Sequence, residues 1–125
     1  MSFMKLVHKF SPIDVISDPF IIDVLNYIHQ NFDKELTIEE LAERSNYQRQ
    51  FFIRKFKKIM QVTPYKYIKD YRMNIAYHLL QQNKCNILDV ARKVGYSDNS
   101  VFSRAFKQHF GVYPRNIVHN TAILP

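Results

Sequence analysis

The chain has 125 residues, of which 46% are hydrophobic, and it carries a formal net charge of +7. That length suits one domain or two very small ones. Cys85 is its single cysteine, which excludes an internal disulfide and a cysteine-based zinc site, and no apolar run is long enough to span a bilayer. We therefore expect a protein of the cytosol, and the excess of cations favours an anionic partner such as nucleic acid.

Apolar residues recur at helical spacing along most of the chain, and no strand pattern competes with them. Residues 1–17 show no clear periodicity and are interpreted as an N-terminal arm. Helix-start residues and apolar spacing together predict seven helices. In chain order, the predicted helices cover about residues 19–31, 38–44, 48–60, 64–82, 87–94, 99–110 and 114–120.

Short polar side chains mark the predicted helix starts. In the capping-box pattern that begins the second helix, Glu40 is expected to reach back to the cap. Asn46 and Gly95 suit the left-handed backbone of two short turns, and Gly111 is expected to end the sixth helix. The predicted caps are Asp18, Thr37, Thr63, Asn86 and either Ser97 or Asp98.

The apolar positions also predict which face of each helix is buried. In the longest helix, a single inner stripe is expected from Ile68, Tyr71, Ile75 and Leu79. The other helices are expected to turn inward Ile21, Ile22, Leu25, Ile28, Phe32, Ile38, Leu41, Ala42, Phe52, Phe56, Ile59, Ile87, Val90, Ala91, Phe102, Phe106 and Phe110.

Two stretches of the chain repeat one pattern. In the first copy, the repeated residues are Ala42, Tyr47, Phe52, Arg54, Phe56, Lys57, Val62 and Pro64. The last six recur 50 residues later and the first two 49 residues later, so the second copy has one extra residue just after its turn. A repeat of this period indicates one structural unit used twice.

The predicted fold class is therefore all-α, with two helix-turn-helix subdomains joined by a long central helix. The expected divisions are an arm over 1–17, a first helix-turn-helix subdomain over 18–62, a linker helix over 63–83, a second subdomain over 84–120 and a C-terminal tail over 121–125.

The second helix of each helix-turn-helix combines an apolar face with a basic, amide-rich face, the pattern of a helix that reads the DNA major groove. Arginine suits guanine, amides suit adenine, serine suits either, and isoleucine can touch a thymine methyl group. The predicted base-contacting residues are Gln50, Ile53, Arg54, Asn99, Ser100, Ser103 and Arg104. The predicted phosphate-contacting residues are Arg49, Lys57, Lys58 and Lys107.

Two such helices on one side of B-DNA should lie about 34–36 Å apart, one turn of the duplex. The connecting helix, at 1.5 Å per residue, is roughly 27–28 Å long and contains no internal glycine or proline. We expect it to hold the two helices near that separation, with bending left to the DNA.

The sequence gives little support for a metal site or a catalytic site. The five histidines show no i, i+4 pairing and no convergent acid, so no metal site is expected. The chain has no glycine-rich phosphate loop and no catalytic triad, and Cys85 lacks an activating motif around it. Neither enzymatic activity nor a cofactor is expected.

The chain resembles the DNA-binding domain of the AraC/XylS family of transcriptional regulators over roughly residues 20–118. With no sensor domain attached, it looks like the stand-alone MarA/SoxS/Rob-like branch. The second unit carries the signature in Ile87, Val90, Ala91, Val94, Gly95, Tyr96, Ser100, Phe102, Arg104, Phe106, Lys107, Phe110, Gly111 and Pro114.

This resemblance implies a bacterial, cytoplasmic transcription factor, usually an activator, that binds double-stranded promoter DNA as a monomer. It implies one helix in each of two successive major grooves and association with the nucleoid when bound. It also implies contact with RNA polymerase, through the C-terminal domain of the alpha subunit or through the sigma factor, and no membrane contact. Relatives carry Trp at the position of Gln50 and Gln at that of Ile53, so the first half-site should differ from theirs.

Alternatively, the chain is an interaction module that binds RNA polymerase or another regulator and binds DNA only weakly. This alternative is favoured by those departures at Gln50 and Ile53, and by the expected exposure of Phe51.

Overall fold

A computed structural model describes residues 18–117 of the chain. Within this range the chain forms six helices, a further helical turn at residues 114–117 and no strand. The helices are α1 (Pro19–Asn31), α2 (Ile38–Arg44), α3 (Arg49–Met60), α4 (Pro64–Gln82), α5 (Ile87–Lys93) and α6 (Asn99–Phe110). The predicted all-α helix-turn-helix fold is confirmed. The predicted arm, the end of the last helix at 118–120 and the tail lie outside the described residues.

Most of these helices are capped at their N-terminus by a side chain. The carboxylate of Asp98 caps α6, because it accepts hydrogen bonds from the backbone N–H groups of Ser100 and Val101. By contrast, Gln48 at the start of α3 makes no side-chain cap. First-turn N–H groups donate to the other predicted caps, which are Asp18, Thr37, Thr63 and Asn86.

One predicted cap contact is replaced by a contact between helices. The prediction that Glu40 reaches back to Thr37 was wrong, because its carboxylate accepts a hydrogen bond from the Tyr27 hydroxyl of α1. This bond raises the pKa of Tyr27. The Arg44 guanidinium lies 4.0 Å from the centroid of the same ring. The two contacts attach α2 to α1.

The chain divides into two compact units, with the division between Lys69 and Asp70 inside α4. The first unit contains α1, α2, α3 and the start of α4, and the second contains the rest of α4, α5 and α6. The first core contains the buried residues Ile21, Val24, Leu25, Ile28, Leu41, Ala42, Phe52, Phe56, Met60, Tyr67 and Ile68. The buried hydrophobic residues of the second unit are Met73, Ala76, Leu80, Val90, Ala91, Val94, Phe102, Phe106 and Ile117.

The repeat includes a third helix that the sequence comparison missed. The buried residues Ile21, Val24 and Ile28 of α1 have counterparts 52 residues later in the second half of α4, all of them buried. The counterparts are Met73, Ala76 and Leu80. Each unit is therefore a three-helix structure, and α4 belongs to both.

The double membership of α4 explains why its predicted inner stripe was wrong. Ile68 is buried as predicted, but Tyr71, Ile75 and Leu79 are only half-buried. In their place α4 buries Tyr67 in the first unit and Met73, Ala76 and Leu80 in the second. Two cores require two faces, which one stripe does not provide.

Several more apolar positions differ from the predicted core. Four of the residues predicted to be inward are only half-buried, namely Phe32, Ile38, Ile87 and Phe110. In α3, Met60 is fully buried while Ile59 is half-buried, and in α1 the side chain of Ile22 is 40% exposed.

Left-handed residues separate the elements at matching places in the two units. The predicted turn residues Asn46 and Gly95 have φ values of 61° and 95°. The residue that ends α3 is Gln61, at φ 65°, whereas Gly111 ends α6 at φ 81°. The first unit thus holds a side chain where this backbone favours glycine.

We expect Gln61→Gly to raise the free energy of unfolding by about 0.5 kcal/mol, because it removes the steric cost of left-handed backbone. The gain is partly offset by the entropy of glycine and by loss of the exposed hydrogen bond that the Gln61 amide donates to the Lys58 carbonyl at 3.0 Å. Urea titration followed by circular dichroism measures the change. The matched control is Gly111→Ala, which should destabilise the chain by about 1 kcal/mol, since an added Cβ meets no atom within 4 Å and only the backbone conformation is tested. A destabilised Gln61→Gly variant would contradict this account.

A half-buried histidine at the edge of the first core pairs with a buried tyrosine. The Nε2 of His29 and the hydroxyl oxygen of Tyr67 are 2.7 Å apart, and their rings stack at a centroid distance of 5.9 Å. Tyr67 is fully buried. Burial lowers the pKa of His29, because the charged imidazolium loses water.

We therefore expect stability to fall as the pH drops below about 6.5, the histidine pKa of the unfolded chain. The unfolded chain binds the proton first, so His29 reduces the free energy of unfolding by at most about 1.4 kcal/mol per pH unit, until its lower folded-state pKa is reached. Urea titrations at pH 7.5 and 5.5 should show a smaller pH effect in His29→Gln than in the unsubstituted chain. The exposed His78 provides the control His78→Gln. An unchanged pH effect in His29→Gln would contradict the assignment.

Candidate nucleic-acid interface

Helices α3 and α6 are held by matching anchors. Phe52 and Phe56 of α3 are fully buried, as are Phe102 and Phe106 at the same positions of α6. Because these pairs are spaced at i, i+4, they lie on one face of each helix, and the opposite face is directed to solvent. The two helices therefore present equivalent outward positions, 50 residues apart in sequence.

The first part of the turn before each helix makes the same backbone hydrogen bond. The N–H of Tyr47 donates to the carbonyl of Ala42 at 3.0 Å, and the N–H of Tyr96 donates to the carbonyl of Ala91 at 2.8 Å. Both alanines are buried where the two helices of the motif meet. The small side chain allows the close approach of the two helices, and the hydrogen bond fixes the direction in which the second helix leaves the turn.

Most of the predicted site residues lie on the outward faces. Two of the predicted base-contacting residues, Ile53 and Ser103, are only half-buried positions at the edge of that face, and Ile53 packs against the first core. The other predicted site residues are all exposed, namely Gln50, Arg54, Asn99, Ser100, Arg104, Arg49, Lys57, Lys58 and Lys107.

Arg54 and Arg104 occupy the same position at the centre of the two outward faces. Within residues 18–117, neither guanidinium makes a hydrogen bond or an ion pair, and the same holds for the Gln50 amide. Their donors can therefore meet a ligand without breaking a contact inside the protein. A free guanidinium offers five donors in a planar fork, which matches the major-groove edge of guanine or a phosphate group.

Two predicted phosphate-contacting residues do have partners within the protein. The Nε of Arg49 donates to the Glu39 carboxylate at 2.7 Å, and both side chains are exposed. The pKa of Glu39 is lowered, first by its own backbone N–H and then by Arg49. The ammonium of Lys107 donates to the carbonyl of Gly111 at 3.0 Å. Exposed pairs of this kind contribute little to stability, so a phosphate could replace the partner at low cost.

The two helices differ in charge. Helix α3 contains five cations and no acid, namely Arg49, Arg54, Lys55, Lys57 and Lys58, and the side chain of Lys55 lies over the rings of Phe20 and Tyr47. Helix α6 contains only two lysine or arginine cations, Arg104 and Lys107, and its N-cap is the acidic Asp98. The outward face of α3 is therefore the more strongly attractive to a polyanion.

Two exposed residues were left out of the predicted site. The expected exposure of Phe51 is confirmed, at 45%, and Val101 at the matching position of α6 is 43% exposed. The sequence signal was available, since each residue precedes the outward arginine by three positions and so shares its face.

In residues 18–117, no helix is both long and apolar enough to cross a membrane. Over the same range, no group of three or more His, Cys, Asp or Glu side chains is arranged to hold a metal ion.

Comparison with known proteins places this arrangement among helix-turn-helix proteins. A family model described as a helix-turn-helix domain matches residues 41–119. The HTH-type transcriptional regulator AlkR of Acinetobacter baylyi is 36% identical over 98 residues, which are 78% of this chain and 32% of AlkR. The lactose operon transcription activator of Staphylococcus xylosus is 31% identical over 111 residues, which are 89% of this chain and 39% of that protein. The chain thus spans well under half the length of these two relatives.

A solved structure shares the fold. The DNA-binding domain of the global transcriptional factor AdpA, in complex with a target DNA, superposes with a TM-score of 0.77 at 21% identity. The match covers 82% of this chain and 92% of that domain. At this identity the likeness establishes the fold.

Proposed function

Because the chain belongs to the AraC-type helix-turn-helix family of transcription regulators, we propose that it binds DNA sequence-specifically as a monomer and activates transcription. The relatives and the fold are those of DNA-binding regulators and not of enzymes. The observation that carries the proposal is the pair of unpartnered arginines, Arg54 and Arg104, on equivalent faces of two identically anchored helices.

In the proposed complex, α3 and α6 enter two adjacent major grooves. Arg54 and Arg104 each bind a guanine edge, the amides of Gln50 and Asn99 bind adenine edges, and the remaining contacts are smaller. The other proposed base contacts come from Ile53, Ser100 and Ser103. The AdpA domain, which has the same fold, is in complex with a target DNA, and this supports the assignment of the fold's DNA-binding role to the present chain.

Phosphate contacts are proposed for the cations beside the reading positions, which are Arg49, Lys57, Lys58 and Lys107. These contacts fix position and orientation on the duplex without reading its sequence. Lys57 and Lys107 occupy the same position of the two helices, one turn beyond the arginines. The proposed location is the bacterial cytoplasm, on the nucleoid when bound.

An activating role is supported by the lactose operon transcription activator, which is similar over most of the chain. Activation would require contact with RNA polymerase, through the C-terminal domain of its alpha subunit or through its sigma factor. A second candidate, an interaction module with only weak DNA binding, is favoured by the exposed Phe51. The two candidates differ in one measurable property, which is the preference for particular DNA sequences.

Selection of bound duplexes from a random pool tests the proposal. We expect enrichment of one asymmetric sequence with two conserved blocks about one helical turn apart, and footprinting of that sequence should show two protected major-groove patches. Sedimentation of the complex should give one protein per duplex. A pool without enrichment would favour the interaction module, and a single protected patch would overturn the use of two grooves.

A further inference from the structure

Two large apolar side chains are directed outward at the same place on α3 and α6. Phe51 is 45% exposed and Val101 is 43% exposed, and each lies in the first turn of its helix. Six large hydrophobic side chains are exposed in residues 18–117, and these two are the only ones on α3 or α6. Their positions correspond in the repeat, 50 residues apart.

A single exposed apolar residue is ordinary on a protein surface. Here, however, the exposure recurs in both copies and on the face that carries the free arginines. Phe51 precedes Arg54 by three residues, and Val101 precedes Arg104 by three residues, so each pair shares one helix face. The first turn of a groove-reading helix is also the part that reaches base edges.

Ile53, the residue that the sequence favoured for an apolar contact with DNA, is less accessible than Phe51. Ile53 is half-buried and packs against the first core. Phe51 has the larger free surface and lies closer to the centre of the outward face. The main apolar contact is therefore better assigned to Phe51, and Ile53 is left as a smaller contact at the edge of the face.

Both side chains are held in place before any ligand arrives. The ring of Phe51 lies 4.8 Å from the ring of Tyr47, which in turn lies 5.5 Å from the ring of Phe20. Val101 is β-branched, which restricts its side-chain rotation. Little conformational entropy would be lost when either side chain contacts a partner.

We propose that Phe51 and Val101 are specificity-determining residues, each contacting the 5-methyl group of a thymine in the major groove. This inference rests on the DNA-binding function proposed above. The thymine methyl group is the one apolar feature that base pairs present in that groove. Neither side chain carries a charge or a hydrogen-bond donor, so each adds to base preference and nothing to attraction for phosphate.

Replacement of single thymines by deoxyuridine, which lacks only the methyl group, tests the proposal with the full chain and the duplex enriched from the random pool. One thymine in each half-site should be sensitive, and its replacement should weaken binding by about fourfold, the value of one buried methyl group. Phe51→Ala should abolish the sensitivity in the first half-site only. Val101→Ala should abolish it in the second half-site only.

Matched variants separate this contact from other effects. Phe51→Leu keeps an apolar side chain and should retain the sensitivity, and Ile53→Ala should retain it as well. The salt dependence of binding should be the same for all variants, because none loses a charge. Retention of the full deoxyuridine penalty in Phe51→Ala and Val101→Ala, on a duplex that is still bound selectively, would overturn this inference alone. Failure of the pool to enrich any sequence would overturn the proposed function and this inference with it.

Discussion

Arg104→Ala should weaken binding to the enriched duplex by about 1–3 kcal/mol, which is about 5-fold to 150-fold, and should remove the base preference at one position. The reason is that a guanidinium bound to the O6 and N7 atoms of guanine contributes two directed hydrogen bonds that no other base pair accepts in the same way. Fluorescence anisotropy on the enriched duplex, on its single-position variants and on a scrambled duplex measures both effects.

Two further variants separate base reading from charge. Arg104→Lys keeps the charge but loses the planar fork, so it should lose most of the base preference while retaining affinity for scrambled DNA. Lys57→Ala should weaken binding to all sequences alike and lower the slope of log affinity against log salt by about one. An equal loss for Arg104→Ala on the enriched and scrambled duplexes would show that Arg104 contacts phosphate rather than a base.

Phe52→Ala should lower the free energy of unfolding by about 3–5 kcal/mol. Phe52 is fully buried in the first core, where its ring lies 5.7 Å from that of Phe20 and 6.2 Å from that of Phe56. The truncation loses this burial and leaves a cavity. Since a small domain is stable by only about 5–15 kcal/mol, much of the first unit's stability should be lost. Urea titration followed by far-ultraviolet circular dichroism measures it.

The neighbouring residue provides the control. Phe51→Ala removes the same group from a side chain that is 45% exposed, and it should cost less than about 1 kcal/mol, mainly from the lost contact with the Tyr47 ring. Phe102→Ala should repeat the large loss in the second unit. Similar losses for Phe51→Ala and Phe52→Ala would contradict the assignment of inward and outward faces to α3.

The helix limits could be predicted almost completely from sequence, because local chemistry determines them. Asp18 with Pro19, Thr63 with Pro64, and Gly111 each act on the adjacent turn alone. Such effects depend on neighbours in the chain and so are readable from the chain. The predicted third and fifth helices each differed from the structure by one residue at one end.

The buried face of α4 and the partner of Glu40 could not be predicted in the same way. Helix α4 supplies Tyr67 to one core and Met73 to the other, and a periodicity analysis that assumes one buried face averages the two. The Glu40 carboxylate could in principle bond to its own helix cap or to Tyr27, thirteen residues away in sequence, and it bonds to Tyr27. Tertiary packing selected the distant one.

For the candidate site, residue type and repeat position identified the outward cations and amides correctly as exposed groups. Which of Ile53 and Phe51 is the more exposed was harder to predict, because both are apolar residues beside the same polar face of the helix. Only the packing of α3 on its core shows that Ile53 is half-buried against that core while Phe51 is exposed. The identity of the preferred bases depends on the docked orientation of each helix, which no residue spacing encodes.

The unequal chemistry of α3 and α6 gives a polarity to any operator that they read together. Only four of the twelve aligned positions in these helices carry the same residue. A symmetric dimer on a palindrome is unchanged when its operator is inverted. A monomer bound as proposed would instead be reversed, so that its opposite side would face proteins bound nearby. Operator orientation relative to the start of transcription is therefore a variable through which one regulator could have different effects on different genes.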